Sequence, residues 1–118
     1  MPQDICERTL EHALSSIKLY QSLQEVRDGA AWVIAKQFLR SATAVGANIE
    51  EAQAGESRSD FVHKYRIALK EARESSYWLR LLIKSELVRT SQAASLLKET
   101  HELIAILTTI INKAKPDR

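Results

Sequence analysis

Three sets of side chains in this sequence have the types needed for chemistry, and their spacing decides what each can do. His12, His63 and His101 are candidates for metal ligation or proton transfer, and Cys6 for nucleophilic attack. A row of cations, Arg66, Lys70, Arg73, Arg80 and Lys84, is a candidate for phosphate contact. No histidine has a second His or Cys at ligand spacing, and there is no Glu-x-x-His pair of the kind that builds di-metal sites in helical bundles. The plainer expectation for all three is an exposed place on a helix. Cys6 lies near the N-terminal end without an evident base to activate it, so it is expected to pack rather than react. There is no glycine-rich phosphate loop and no nucleophile elbow. The sequence therefore points away from an enzyme, with no cofactor and no metal expected.

The cations are better placed. At 100° per residue on a helix they fall within about 80° of arc, interrupted only by Tyr77. Aligned positive charges can follow a phosphate backbone, and Tyr77 can stack on a base. The competing reading is a merely solvated face, because Glu71 and Glu74 are spaced to pair with some of these cations. A second polar series, Gln37, Arg40, Asn48 and Glu51, runs beside the apolar side of an earlier helix. Asn48 is expected to be partly buried there, bonding an adjacent helix and helping to fix the register; a ligand site built on Asn48 and Glu51 has no partner motif to support it.

Four helices are expected to position these residues. The 118 residues suit one domain, 1–118, and 45% hydrophobic content excludes a disordered chain. Only three Gly and two Pro punctuate a composition rich in good helix formers, which predicts an all-α fold. Helix boundaries are expected near residues 4–27, 30–54, 58–87 and 91–114. Asp4 with Glu7, and Ser57 with Asp60, read as capping boxes; Thr90 or Ser91 reads as the cap of the last helix. Gly29 and Gly55 read as left-handed closers, and Pro116 as the final stop. Cys6, Leu10, Ala13, Leu14, Ile17 and Tyr20 form the expected core face of the first helix. Short turns between helices of similar length predict an antiparallel, up-down-up-down four-helix bundle.

The last helix carries more apolar residues than one core needs. Leu96, Leu103 and Ile110 form one seven-residue series beside a second of Leu97, Ile104 and Ile111. Trp32 and Trp78 also fall off the core stripes, by about 160° and about 100° respectively. Tryptophan is enriched at interfaces, so Trp32, Trp78, Leu96, Leu103 and Ile110 are expected to form a homo-oligomer seam. Residues 1–59 carry a net charge of −2 and residues 60–118 one of +4, a mild polarisation that permits nucleic-acid contact without demanding it. No apolar run is long enough to span a bilayer, and a single cysteine suits a reducing compartment, so a cytoplasmic location with no membrane partner is expected.

Two blocks carry a family resemblance. The first runs from Arg40-Ser41-Ala42-Thr43-Ala44-Val45-Gly46-Ala47-Asn48 through Ile49-Glu50-Glu51-Ala52-Gln53-Ala54 and is followed by Ser57-x-x-Asp60-Phe61. The second is Ala68-Leu69-Lys70-Glu71-Ala72-x-Glu74-x-x-Tyr77-Trp78-Leu79. Together they resemble the bacterial four-helix-bundle family of rRNA intervening-sequence proteins, and also the accessory proteins of diversity-generating retroelements. The resemblance implies antiparallel bundles that assemble as rings, pentamers among them, with no enzymatic activity. It also implies nucleic acid and a reverse transcriptase as partners of the retroelement relatives. One departure is Ile49-Glu50, where relatives often carry an aromatic and then a basic residue; a Glu50 facing nucleic acid would weaken the contact. The expected function is a homo-oligomeric bundle binding RNA or DNA through repeated basic surfaces. The alternative is a protein-binding assembly module with no nucleic-acid role.

Overall fold

The computed structural model describes residues 4–115, so Pro116, the expected stop, lies outside the described residues. Four α-helices are present: α1 (Ile5–Leu23), α2 (Gly29–Gln53), α3 (Arg58–Lys84) and α4 (Thr90–Ala114). Each helix packs on its sequence neighbours, and α4 closes back on α1 through the sparsest of the four contacts. The result is an up-down-up-down bundle with extents of 51 × 28 × 22 Å. Among the described residues no helix is long and apolar enough to cross a membrane.

The turns differ from expectation in instructive ways. α1 stops at Leu23 rather than near Arg27, and Asp28 begins the next helix instead of ending the first. Its side chain accepts from the backbone N–H groups of Ala30 and Ala31, at 2.8 and 3.2 Å. Ser57 caps α3 by accepting from the Asp60 amide at 3.1 Å. Asp4 occupies the cap position of α1 without a side-chain bond. The cap position of α4 falls on Arg89, likewise without one, and Thr90 is already helical.

Neither Gly29 nor Gly55 is left-handed; among the described residues the left-handed one is Glu86, with φ 62°. There the Glu86 amide bonds the Ile83 carbonyl at 3.0 Å and the Leu87 amide bonds the Leu82 carbonyl at 3.1 Å, the paired bonds of a Schellman closure. A Cβ at this backbone position is strained, and a carboxylate at a helix C-terminus opposes the macrodipole. Glu86→Gly is therefore expected to raise stability by about 0.5–1 kcal/mol, part of the relief being offset by the greater freedom of glycine in the unfolded chain. A higher urea midpoint at unchanged slope would show it.

The core is two apolar clusters separated by a polar belt. One gathers Val45, Ile49, Tyr65, Ala68, Leu107 and Ile111. The other gathers Leu19, Leu23, Phe38, Leu79, Leu82 and Leu96. Between them lie His12, Ser16, Ser41, Ser75 and Thr100, all buried. The Ser75 hydroxyl donates to Ser41 at 3.0 Å, and His12 Nε2 lies 2.8 Å from Thr100 Oγ1. Ser16, Ser41 and Thr100 also donate to carbonyls of their own helices. Nearly every buried polar group is thus satisfied, as a closed interior requires.

This belt overturns the expected core face of α1. The buried row is Thr9, His12, Ser16, Leu19 and Leu23, while Leu10, Leu14 and Ile17 are exposed. The small and hydrogen-bonded side chains let α1 approach its neighbours closely. A Cβ on Gly46 of α2 would lie only 3.4 Å from three atoms of Thr9. The bulkier aliphatic row is left on the outside.

Candidate functional site

Every member of the predicted basic row is exposed on α3: Arg66, Lys70, Arg73, Tyr77, Arg80 and Lys84. Among the described residues none of the five cations takes part in an ion pair. The carboxylates that sequence reasoning offered as their partners are engaged elsewhere. Arg40 reaches from α2 to Glu71, at 3.4 Å, and to Glu74. Glu74 also accepts from Trp78 Nε1 at 3.0 Å. That bond, and then Arg40, hold its carboxyl below the usual carboxylate range against the opposing effect of partial burial. Lys70 adds a weaker through-space attraction to the same group. Arg40, grouped from sequence with Asn48, is therefore the residue that engages both carboxylates of the acidic flank of α3, offsetting one of their two charges, and leaves the cations facing solvent.

The remaining members of that polar series part company. Asn48 is half-buried, but its Nδ2 donates to Ala44 O of its own helix at 2.8 Å rather than to an adjacent helix. Glu51 pairs with Lys64 of α3 at 2.7 Å, and Gln37 is exposed. The four residues form no shared pocket.

The expected oligomer seam is corrected as well. Leu96 and Leu103 are buried inside the protomer, with 6% and 0% exposure, because α4 spends that face on its own core. Ile110 is half-buried against the first cluster, and Trp78 half-buried against the second. Trp32 alone of the set is exposed. It has company that sequence reasoning had placed in the core or left unassigned. Of the exposed large hydrophobics among the described residues, Leu10, Leu14, Ile17, Trp32 and Val33 all lie on α1 or the first turns of α2, with exposures up to 64%. Leu10 and Ala13 border a shallow groove floored by Gly46 and Ala47 of α2. The Leu10, Leu14 and Ile17 row makes an apolar ridge along α1, the kind of feature that marks an interaction surface.

His12 is buried rather than exposed, and burial pushes its pKa down to about 4. Thr100 Oγ1 lies 2.8 Å from both His12 Nε2 and Leu96 O, so the imidazole is bonded through Nε2. His12 Nδ1 has no hydrogen-bond partner. His63 and His101 are exposed, and His101 Nε2 lies 3.0 Å from Ser76 Oγ on α3. Among the described residues no group of three or more His, Cys, Asp and Glu is arranged to hold a metal ion.

The geometry defines a class: a four-helix bundle with one uncompensated cationic face and one apolar ridge. The chain matches the family model described as 23S rRNA-intervening sequence protein over residues 3–109, and it belongs to that family. It is similar to the crystal structure of a protein of unknown function from the S23 ribosomal protein family of Bacteroides thetaiotaomicron. The two are 42% identical, with a TM-score of 0.84, over 92% of this chain and 98% of that one. Neither description names a reaction. Comparison with curated proteins gives no match.

Proposed function

We propose that the protein is a non-enzymatic, cytoplasmic homo-oligomer that binds nucleic acid through the α3 face, repeated once per subunit. The observation that carries this reading is the division of charge around α3. Arg40 takes up Glu71 and Glu74, while Arg66, Lys70, Arg73, Arg80 and Lys84 stay unpaired on the outside. Exposed cations in a row release counterions when they meet a phosphate backbone, which is the main source of sequence-independent affinity. The family description, with its reference to 23S rRNA, agrees with a polyanionic partner. Assembly through the α1–α2 ridge would present several such rows at once, and avidity of that kind adds roughly 10²–10⁴ to the affinity of one module.

Arg73 and Arg80 stand near the middle of the row and make no contact that holds the bundle together beyond a bond from Arg80 Nε to Ser76 O, 3.3 Å away within its own helix. The double variant Arg73→Glu, Arg80→Glu is expected to lose binding to RNA and DNA by at least about 100-fold at moderate salt, with helicity and mass unchanged. Each lost phosphate contact should also flatten the dependence of log K on log salt by about 0.7–0.9. Unaltered affinity would remove the α3 face from consideration.

A further inference from the structure

We propose that the α3–α4 face selects single strands, with phosphates on the α3 row and bases in a trough on α4; this rests on the nucleic-acid reading above. The trough is a wide, open hollow of about 500 Å³ on the outer side of α4, lined by Ala94, Leu97, Lys98, His101, Glu102 and Ala105 of that one helix. Its place beside the cations follows from one bond. Ser76 Oγ and His101 Nε2 are 3.0 Å apart, which fixes the antiparallel register of the two helices. Counting outward from that pair, Arg73 stands level with the Ala105 end, Arg80 with Leu97, and Lys84 with the Ala94 end. Arg80 Nε donates to Ser76 O of its own helix at 3.3 Å, one turn back towards that pair. Four groups of the α3 row, Arg73, Tyr77, Arg80 and Lys84, therefore stand at the same heights along the bundle as the hollow on α4.

The charges around this hollow favour a polyanion. Lys98 adds a sixth cation that takes part in no ion pair among the described residues, and it stands on the α4 side. The one carboxylate lining it, Glu102, shares Arg8 with Glu99, each at 2.8 Å, so that the single guanidinium offsets one of the two negative charges. On the far flank, Glu71 and Glu74 are held by Arg40. The α3 row and the single Lys98 of α4 thus accompany a strip about 16 Å long, the span of eleven residue steps of helix. At the ~3.4 Å rise of a stacked strand, that is room for about five nucleotides. Tyr77 is 51% exposed beside Trp78, with ring centroids 5.0 Å apart and planes inclined at 70°, so about half of the ring is open to a base. A duplex keeps its bases stacked inside and can use only the cations. A single strand can use cations, Tyr77 and trough together, because base stacking on aromatic side chains tolerates any sequence.

The test compares an oligouridylate with a duplex carrying the same number of phosphates, at one salt concentration, on the assembled protein. The single strand is expected to bind about tenfold or more tightly, and to quench the fluorescence of Trp78 through Tyr77. Tyr77→Ala and Ala105→Glu, both at exposed positions that leave the core intact, should each weaken the single strand by about tenfold. Tyr77→Ala should leave the duplex unchanged. Equal or tighter duplex binding, or indifference to both substitutions, would overturn strand selection while leaving the nucleic-acid reading in place. Absence of salt-dependent binding to either probe would overturn both.

Discussion

Protein carrying Leu14→Glu is expected to run as a monomer at concentrations where the unmodified chain is assembled. Leu10, Leu14 and Ile17 recur at four- and three-residue steps along the outside of α1, and Leu14 stands at the centre of the row with 52% exposure. Covering a leucine completely contributes about 1.5–3 kcal/mol, so a contact that hides the row together with Trp32 gains several such increments. A glutamate at the centre removes one increment and also forces an unpaired carboxylate out of water, which costs more than the lost leucine returns. The dissociation constant should weaken by well over about 100-fold, a change light scattering reads as a fall to the subunit mass of 13.3 kDa. Leu96→Glu is the control. It puts the charge into the protomer core and should unfold the chain rather than release folded subunits. An unmodified chain that is already monomeric would remove self-assembly and reserve the ridge for a different protein, as the assembly-module reading requires.

The ridge also shows where sequence reasoning reached its limit. Periodicity identified α1 as amphipathic, and it is. Two rows on that helix have nearly the same spacing, however: Cys6, Leu10, Ala13 and Ile17 on one side, Thr9, His12, Ser16 and Leu19 on the other. The more apolar row was assigned to the core. The protomer buries the other, because hydroxyl groups that donate to their own helix carry little desolvation penalty and leave room for close packing against Gly46 and Thr100. A polar row can win the core when every donor is satisfied, and hydropathy does not register that condition. The surplus apolar residues on α4 had the opposite fate. Leu96 and Leu103 read as spare because α4 carries more apolar residues than one core needs, yet both are buried inside the protomer.

The α3 face was legible because nothing competes for it. Val62, Tyr65, Ala68, Ala72 and Leu79 define the buried side clearly, so the cations opposite had only solvent to face. What could not be read was the fate of Glu71 and Glu74. Their spacing allows pairing along α3, and only the docking of α2 brings Arg40 near enough to claim both. The α4 trough was hidden for a similar reason. Ala94 and Ala105 look like ordinary helix formers until Ser76 and His101 set the register beside the α3 row.

Acid should unfold this protein earlier than its carboxylates alone would dictate, and His12 is the reason. The ring is 2% exposed and its pKa is pushed from 6.5 to about 4, by burial first, with Glu99 opposing the shift. In the unfolded chain His12 takes up a proton below 6.5, while in the fold it resists until about 4. The unfolded state therefore binds more protons throughout that interval, and stability must fall with pH across it, by up to about 1.4 kcal/mol per pH unit. The full loss is about 3 kcal/mol, a large share of the 5–15 kcal/mol that holds a typical domain. Glu99 and Glu74 are also held below their ordinary value of 4.5, by Arg8 and by Trp78 with Arg40, so their contributions fade only at lower pH and do not obscure the upper part of the window. His12→Gln should cost about 1–3 kcal/mol at neutral pH through the altered bond to Thr100, yet flatten the stability curve between pH 6.5 and 4.5. Urea unfolding at fixed protein concentration over that range measures both effects. Parallel curves for the two proteins would mean that the His12 ring gains a proton-accepting or solvated partner in solution, and its Nδ1, the one buried side-chain nitrogen or oxygen without a partner among the described residues, is where that partner would have to sit.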